Sequence, residues 1–145
     1  MLDIDAAQRN IDRMASGLRQ MGSATIRPHY KAHKSPDLAW RQVQAGAGGL
    51  SMATVWEAVV LAGAGLDDLF VVNTVSHPAK IAVLARLAAD HRILVAVDEA
   101  PNAAALSTPG RSSQAVEHPA RRSGRRTGPV IWSVAVRLSG RWPFV

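Results

Sequence analysis

Four short, mostly apolar runs, each followed by an amphipathic stretch, limit what this chain can fold into. The runs are Ala24-Thr25-Ile26, Gly49-Leu50-Ser51-Met52-Ala53, Leu69-Phe70-Val71-Val72-Asn73 and Arg92-Ile93-Leu94-Val95-Ala96-Val97-Asp98. Strands that are apolar without alternation are covered on both faces, as in a parallel sheet. The intervening stretches have helical spacing and helical start signals. Ala7, Ile11, Met14 and Leu18 lie on one face of a first helix, with Asp5 and Gln8 at capping-box spacing and Gly22 as its stop. Ser35-Pro36 opens a second helix carrying Leu38, Ala39, Trp40 and Val43. Thr54 and Glu57 form the capping box of a third, and Ser76 or His77 before Pro78 begins a fourth. A short helix over Asn102 to Leu106 follows the last strand. The expected class is therefore α/β. About four strand–helix units make up half of an eight-stranded (β/α)8 barrel, or a small open sheet.

The charge is unevenly placed. Up to Ser107 there are ten Lys/Arg and ten Asp/Glu; from Thr108 on there are seven arginines and one acid, Glu117. The whole net charge of +6 thus sits in the last 38 residues. That segment is rich in Ser, Gly, Pro and Arg, so the expected organisation is a domain over 1–107 and a disordered basic tail over 108–145. One strand is expected in the tail, at Val130 to Val136, with no evident partner. The arginines at 121–126 lack interleaved aromatics, so a solvated tail is expected rather than a nucleic-acid partner. The chain has no cysteine, which removes disulfides and thiolate metal sites. No apolar run reaches the ~18 residues of a membrane span, and Asp3 and Asp5 break any signal-peptide pattern. A cytoplasmic protein with no membrane partner is expected.

The chemistry concentrates in Arg27-Pro28-His29-Tyr30-Lys31-Ala32-His33-Lys34, directly after the first run. A lysine at the end of a buried strand is costly to keep charged, because desolvation and a like charge both favour the neutral amine. A neutral lysine is a nucleophile suited to an aldehyde cofactor. A surface lysine in a basic loop is the simpler alternative. Lys34 is expected to be a solvated charge that helps depress the Lys31 pKa. His33 and His29 are candidate cofactor contacts, and strand-end hydrogen bonding is the alternative for both. Asn73 and Asp98 end the third and fourth runs and would share one rim; Asp98 reads as a helix cap. Trp40 and Trp56 read as packing residues.

The octapeptide at 27–34, preceded by a helix with Arg9-Asn10-Ile11, resembles the D-threonine aldolase and D-serine dehydratase group of the alanine-racemase-like, fold-type III pyridoxal-phosphate enzymes. The likeness continues through Gln44-Ala45-Gly46-Ala47, Ala53-Thr54 with Glu57-Ala58, Ala64-Gly65-Leu66-Asp67-Asp68, Asn73, Pro78-Ala79-Lys80 and Val95-Ala96-Val97-Asp98, covering roughly residues 3–107. The resemblance implies a barrel of the alanine racemase N-terminal type, pyridoxal phosphate held as a Schiff base on Lys31, and cofactor contacts from His29, His33 and Asn73. It implies cleavage of a D-β-hydroxy-α-amino acid to glycine and an aldehyde, or dehydration of D-serine. The group also uses a divalent metal held by a His with a nearby Asp or Cys. His118, the only histidine after residue 91, has no acid at ligand spacing, so no metal residue is assigned. The abrupt change at Ser107 is what a reading-frame shift in GC-rich coding sequence would produce. A truncated, non-catalytic remnant and a pyridoxal-phosphate-binding protein without lyase activity are the alternative functions. Open sheet edges in half a barrel favour a homodimer.

Overall fold

The computed structural model describes residues 2–22 and 25–107, together with the backbone of strands at 114–116 and 134–138. The expected disordered tail lies almost wholly outside the described residues.

Helix α1 spans Ile4–Gln20. Asp3 caps it by accepting a hydrogen bond from the Ala6 amide at 2.9 Å, so the helix starts earlier than the Asp5–Gln8 pair suggests. Asp5 falls in the first turn, where its charge complements the helix N-terminus. Gln8 instead donates to Asp12 at 2.9 Å and accepts from Arg41 at 2.8 Å. Helix α2, Pro36–Gln44, starts at the expected serine–proline pair, with the Ser35 hydroxyl accepting from the Leu38 amide. Helix α3, Val55–Gly63, has the complete Thr54/Glu57 capping box. Helix α4, Pro78–Leu87, is capped by His77, whose Nδ1 accepts from the Ala79 amide at 3.2 Å. Helix α5, Ala100–Ser107, begins with the Glu99 carbonyl accepting from Ala103. Glu99, rather than Asp98, therefore occupies the capping position.

Strands β1 (Leu50–Met52), β2 (Leu69–Val71) and β3 (Ile93–Val97) are parallel and lie side by side in chain order. The expected first strand is reduced to an extended segment along the outer edge of β1. Ile26 and Pro28 carbonyls accept from Gly48 and Ser51 amides, and His29 forms a single parallel bridge with Ser51. Pro28 has no N–H to donate, which keeps this segment from forming a full ladder. On the other side, strand β5 (Val134–Leu138) pairs antiparallel with β3, and strand β4 (Gln114–Val116) pairs with β5. The strand expected without a partner at 130–136 thus sits at 134–138 and has one. The unpaired backbone groups along the edge of β3 supply the reason.

The pleat sorts the strand residues onto two faces. Leu50, Met52, Leu69, Val71, Ile93, Val95 and Val97 join Ala58, Leu61, Leu66, Ile81 and Leu84 from the helical layer in one core cluster. Ser51, Phe70, Leu94 and Ala96 lie on the opposite face, outside that cluster. The molecule is an α/β fragment of a barrel: three parallel strands, extended by an antiparallel pair, with helices covering one face.

The amino ends of the strands are tied by charge. Arg27 donates to the Gly48 carbonyl at 2.9 Å, the Asp68 carbonyl at 2.8 Å and the Asp68 carboxylate at 2.8 Å. Arg92 grips the second carboxylate oxygen. Asp68 holds a left-handed φ of 57°, a conformation aspartate tolerates better than most residues. Asp67, beside it, has its pKa lowered: burial pushes it up, but hydrogen bonds from the Arg92 and Asp68 amides outweigh that. Asp68→Ala removes the carboxylate that Arg92 grips and leaves Arg27 only its carbonyl bonds, and is expected to cost about 2 kcal/mol in urea unfolding.

Candidate active site

The carboxyl ends of the parallel strands form a rim, which is where this architecture places reactive groups. The extended segment delivers the octapeptide to that rim. His29 is level with Ser51, Ser51 with Phe70, and Phe70 with Leu94. Residues beyond His29 therefore lie at the height where β1, β2 and β3 end.

There the chain makes a 3₁₀ turn, Tyr30–Ala32. Tyr30 is 3% exposed and roots the turn in the core. Burial, then the negative charge of Glu57, pushes its phenol pKa up. The His29 ring caps the turn, its Nδ1 accepting from the Lys31 amide at 3.2 Å. Burial lowers the His29 pKa, the Lys31 charge lowers it further, and Glu57 opposes both. The folded state thus prefers neutral His29. The unfolded chain takes up this proton near 6.5, the folded chain only at lower pH. Stability is therefore full above that value and falls as pH drops through it toward the folded pKa. Thermal melts between about pH 7 and pH 5 are expected to show a shallower decline in His29→Asn than in the parent.

Lys31 is exposed, and among the described residues no ion pair takes up its ammonium. The poor hydration expected from the sequence is not what the structure shows. The described strands approach this lysine from one side of the rim, and desolvation needs groups on the other. Lys34 is also exposed, at a left-handed φ of 52°.

His33 is half-buried and both of its ring nitrogens are engaged. Nδ1 accepts from the Ser35 amide at 3.1 Å, and Nε2 lies 3.3 Å from Gln42 Oε1. Its ring stands edge-on to Tyr30, centroids 5.5 Å apart. These bonds tie the turn to α2. Asn73 is exposed just past β2, and its amide nitrogen donates to the Ala53 carbonyl at 2.9 Å, tying the ends of β1 and β2 together. The Glu57 carboxylate accepts from Ala53 and Thr54 amides at the same rim. Glu57 carries a sequence signal as half of a capping box and within the family-like run, whereas Gln42 carries none, because its partner lies nine residues away. Trp40 reaches the Ala64 carbonyl at 3.0 Å. Trp56, expected to pack, is 59% exposed; it lies in the first turn of α3, off the face that buries Val55, Ala58, Leu61 and Ala62.

Among the described residues no three His, Cys, Asp or Glu side chains gather as a metal site, and no helix is long and apolar enough to cross a membrane. As to pyridoxal phosphate, the residues fit its aldehyde end: an accessible amine, in no ion pair among the described residues, stands at the carboxyl rim beside a histidine that favours its neutral form.

The chain matches the family described as alanine racemase, N-terminal domain, over residues 2–120. It is 38% identical over 107 residues to a D-threonine aldolase of an Arthrobacter species, covering 74% of this chain and 28% of that protein. It is 35% identical over 113 residues to a D-threo-3-hydroxyaspartate dehydratase of a Delftia species, covering 77% of this chain and 29% of that one. Its fold is similar to the crystal structure of D-threonine aldolase from Filomicrobium marinum, with a TM-score of 0.72 and 37% identity over 74% of this chain and 29% of that chain. The chain thus spans less than a third of the length of these relatives.

Proposed function

Because the chain belongs to the alanine racemase N-terminal domain family, we propose that it carries the lysine side of a pyridoxal-phosphate site serving a lyase of the D-threonine aldolase type. Lys31 is the residue that holds the cofactor aldehyde. The substrate class is a D-β-hydroxy-α-amino acid, cleaved to glycine and an aldehyde, with D-serine-type dehydration as the sibling reaction. When bound, the cofactor withdraws electrons from the amino acid α-carbon. The other roles belong to the chain. Lys31 Nζ presents the aldehyde-binding amine, and once the substrate amine replaces it, carries a proton to or from the substrate. Neutral His29 caps the turn without adding a second positive charge beside Lys31. Asn73, held by the bond from its side-chain nitrogen to the Ala53 carbonyl, offers its side-chain carbonyl oxygen to the ligand. No metal ligand is assigned.

The observation that carries this reading is the accessible amine of Lys31 at the carboxyl rim, on a turn rooted by Tyr30. Titration with pyridoxal phosphate tests it. A visible absorbance band that saturates at one equivalent per chain is expected; no band overturns the reading.

A second reading, cofactor binding without turnover, is favoured by the exposure of Lys31, since open rims admit water that lyase chemistry must exclude. Aldehyde release from D-threonine separates the two. Release supports the lyase, and a band without release supports the second reading.

A further inference from the structure

Two lysines three positions apart could each offer an amine at this rim. We propose that His33, held by Gln42 and Ser35, is the positioning residue that selects Lys31 over Lys34 for the aldehyde; this rests on the reading of Lys31 given above.

The backbone from 29 to 34 is a compact coil. The Ala32 amide donates to the His29 carbonyl at 3.3 Å, and the His33 and Lys34 amides both donate to the Tyr30 carbonyl, at 3.2 and 2.9 Å. Tyr30 anchors one side of this coil in the core. His33 anchors the other. Its Nδ1 accepts from Ser35, so the neutral ring carries its proton on Nε2, which then donates to Gln42. One tautomer satisfies both bonds. Gln42 lies on α2, and Ser35 caps that helix. The ring therefore bolts the lysine turn to α2 at two points, while its edge rests on Tyr30.

Past the bolt the chain reverses. Lys34 takes its left-handed φ directly after His33, which carries the backbone out of the turn and into the α2 cap. Lys31 sits inside the bolted coil and Lys34 at its exit. Without the ring, the Ser35 amide and Gln42 lose their partner, the coil loosens, and the two amines lose their distinction. A near-reactive placement is sensitive to shifts of about 1 Å.

The test labels the full chain with pyridoxal phosphate and reduces it with borohydride. The lysine nitrogen bonds to the aldehyde carbon, the carbonyl oxygen leaves as water, and borohydride delivers the hydride that fixes the product. Peptide mapping then gives the ratio of label on Lys31 to label on Lys34. The parent is expected to favour Lys31, and His33→Leu to lower that ratio about ten-fold. His33→Asn keeps a short acceptor for the Ser35 amide and is expected to restore most of it. Gln42→Leu lowers the ratio less than His33→Leu. Leu84→Ala, which weakens the core on α4, a helix that packs on α3 and α5, leaves it unchanged. If His33→Leu does not fold, Gln42→Leu decides. With Lys31 labelled in the parent, an unchanged ratio in His33→Leu, or in Gln42→Leu where His33→Leu does not fold, overturns the positioning role alone. No label on Lys31 in the parent overturns both this inference and the proposed function.

Discussion

Lys31→Ala removes the cofactor band and lowers the reduced adduct by at least about 100-fold, while leaving stability within about 0.5 kcal/mol of the parent. The stability half follows from exposure. Lys31 makes no ion pair among the described residues, and the turn is held by backbone bonds to His29 and Tyr30 that alanine preserves. The chemical half follows from the amine itself. Alanine has none, and Lys34 lies past the reversal of the chain. Lys31→Arg is expected to fail equally, since a guanidinium keeps its proton in proteins and cannot attack a carbonyl. Absorbance titration and denaturant melts on the same samples check both halves. A Lys31→Ala chain that keeps the band moves the site elsewhere.

Gly49→Ala is expected to cost about 3–5 kcal/mol, more than other single changes near the sheet. Gly49 has φ +126°, a backbone conformation side chains rarely adopt. An added Cβ would lie 2.5 Å from the Asp68 carbonyl oxygen and collide with the Arg27 guanidinium. The carbonyl belongs to backbone just before β2 and cannot step aside. Moving Arg27 breaks its bonds to Gly48 and Asp68, and with them the tie that also holds Arg92. Gly17→Ala is the control. Nothing lies within 4 Å of the added carbon, and the position is helical, so a gain of about 0.5–1 kcal/mol is expected. Urea midpoints measure both. A Gly49→Ala loss no larger than a typical surface change would contradict the packing described at the amino ends of the strands.

What the sequence made legible was local chemistry. Continuous apolar runs located β1, β2 and β3 because both faces are shielded from water: helices cover one, and Ser51, Leu94 and Ala96 on the other are buried too. Ser35-Pro36 and the Thr54/Glu57 pair located helix starts because a cap is a bond between residues three apart. Where two candidates had similar spacing, the choice was not local. Asp3 caps α1 in place of Asp5, and Glu99 stands where Asp98 was expected. The first apolar run forms a single bridge in place of a strand, because its pairing depends on β1 and on Pro28 having no amide hydrogen. At the site, the lysine and its place on the rim were legible from the octapeptide, but its hydration was not. Exposure of Lys31 depends on what stands opposite, which no neighbouring residue encodes. The Gln42 bond to His33 and the Arg27–Asp68–Arg92 cluster join segments 9 to 41 residues apart. Such partners carry no signal until the sheet brings them together.

The most direct measurement is a peptide map of the parent chain after one equivalent of pyridoxal phosphate and borohydride. The account predicts a single pyridoxyl-phosphate adduct carried by Lys31. Label spread evenly over Lys31, Lys34 and Lys80, as for any accessible amine, would contradict it.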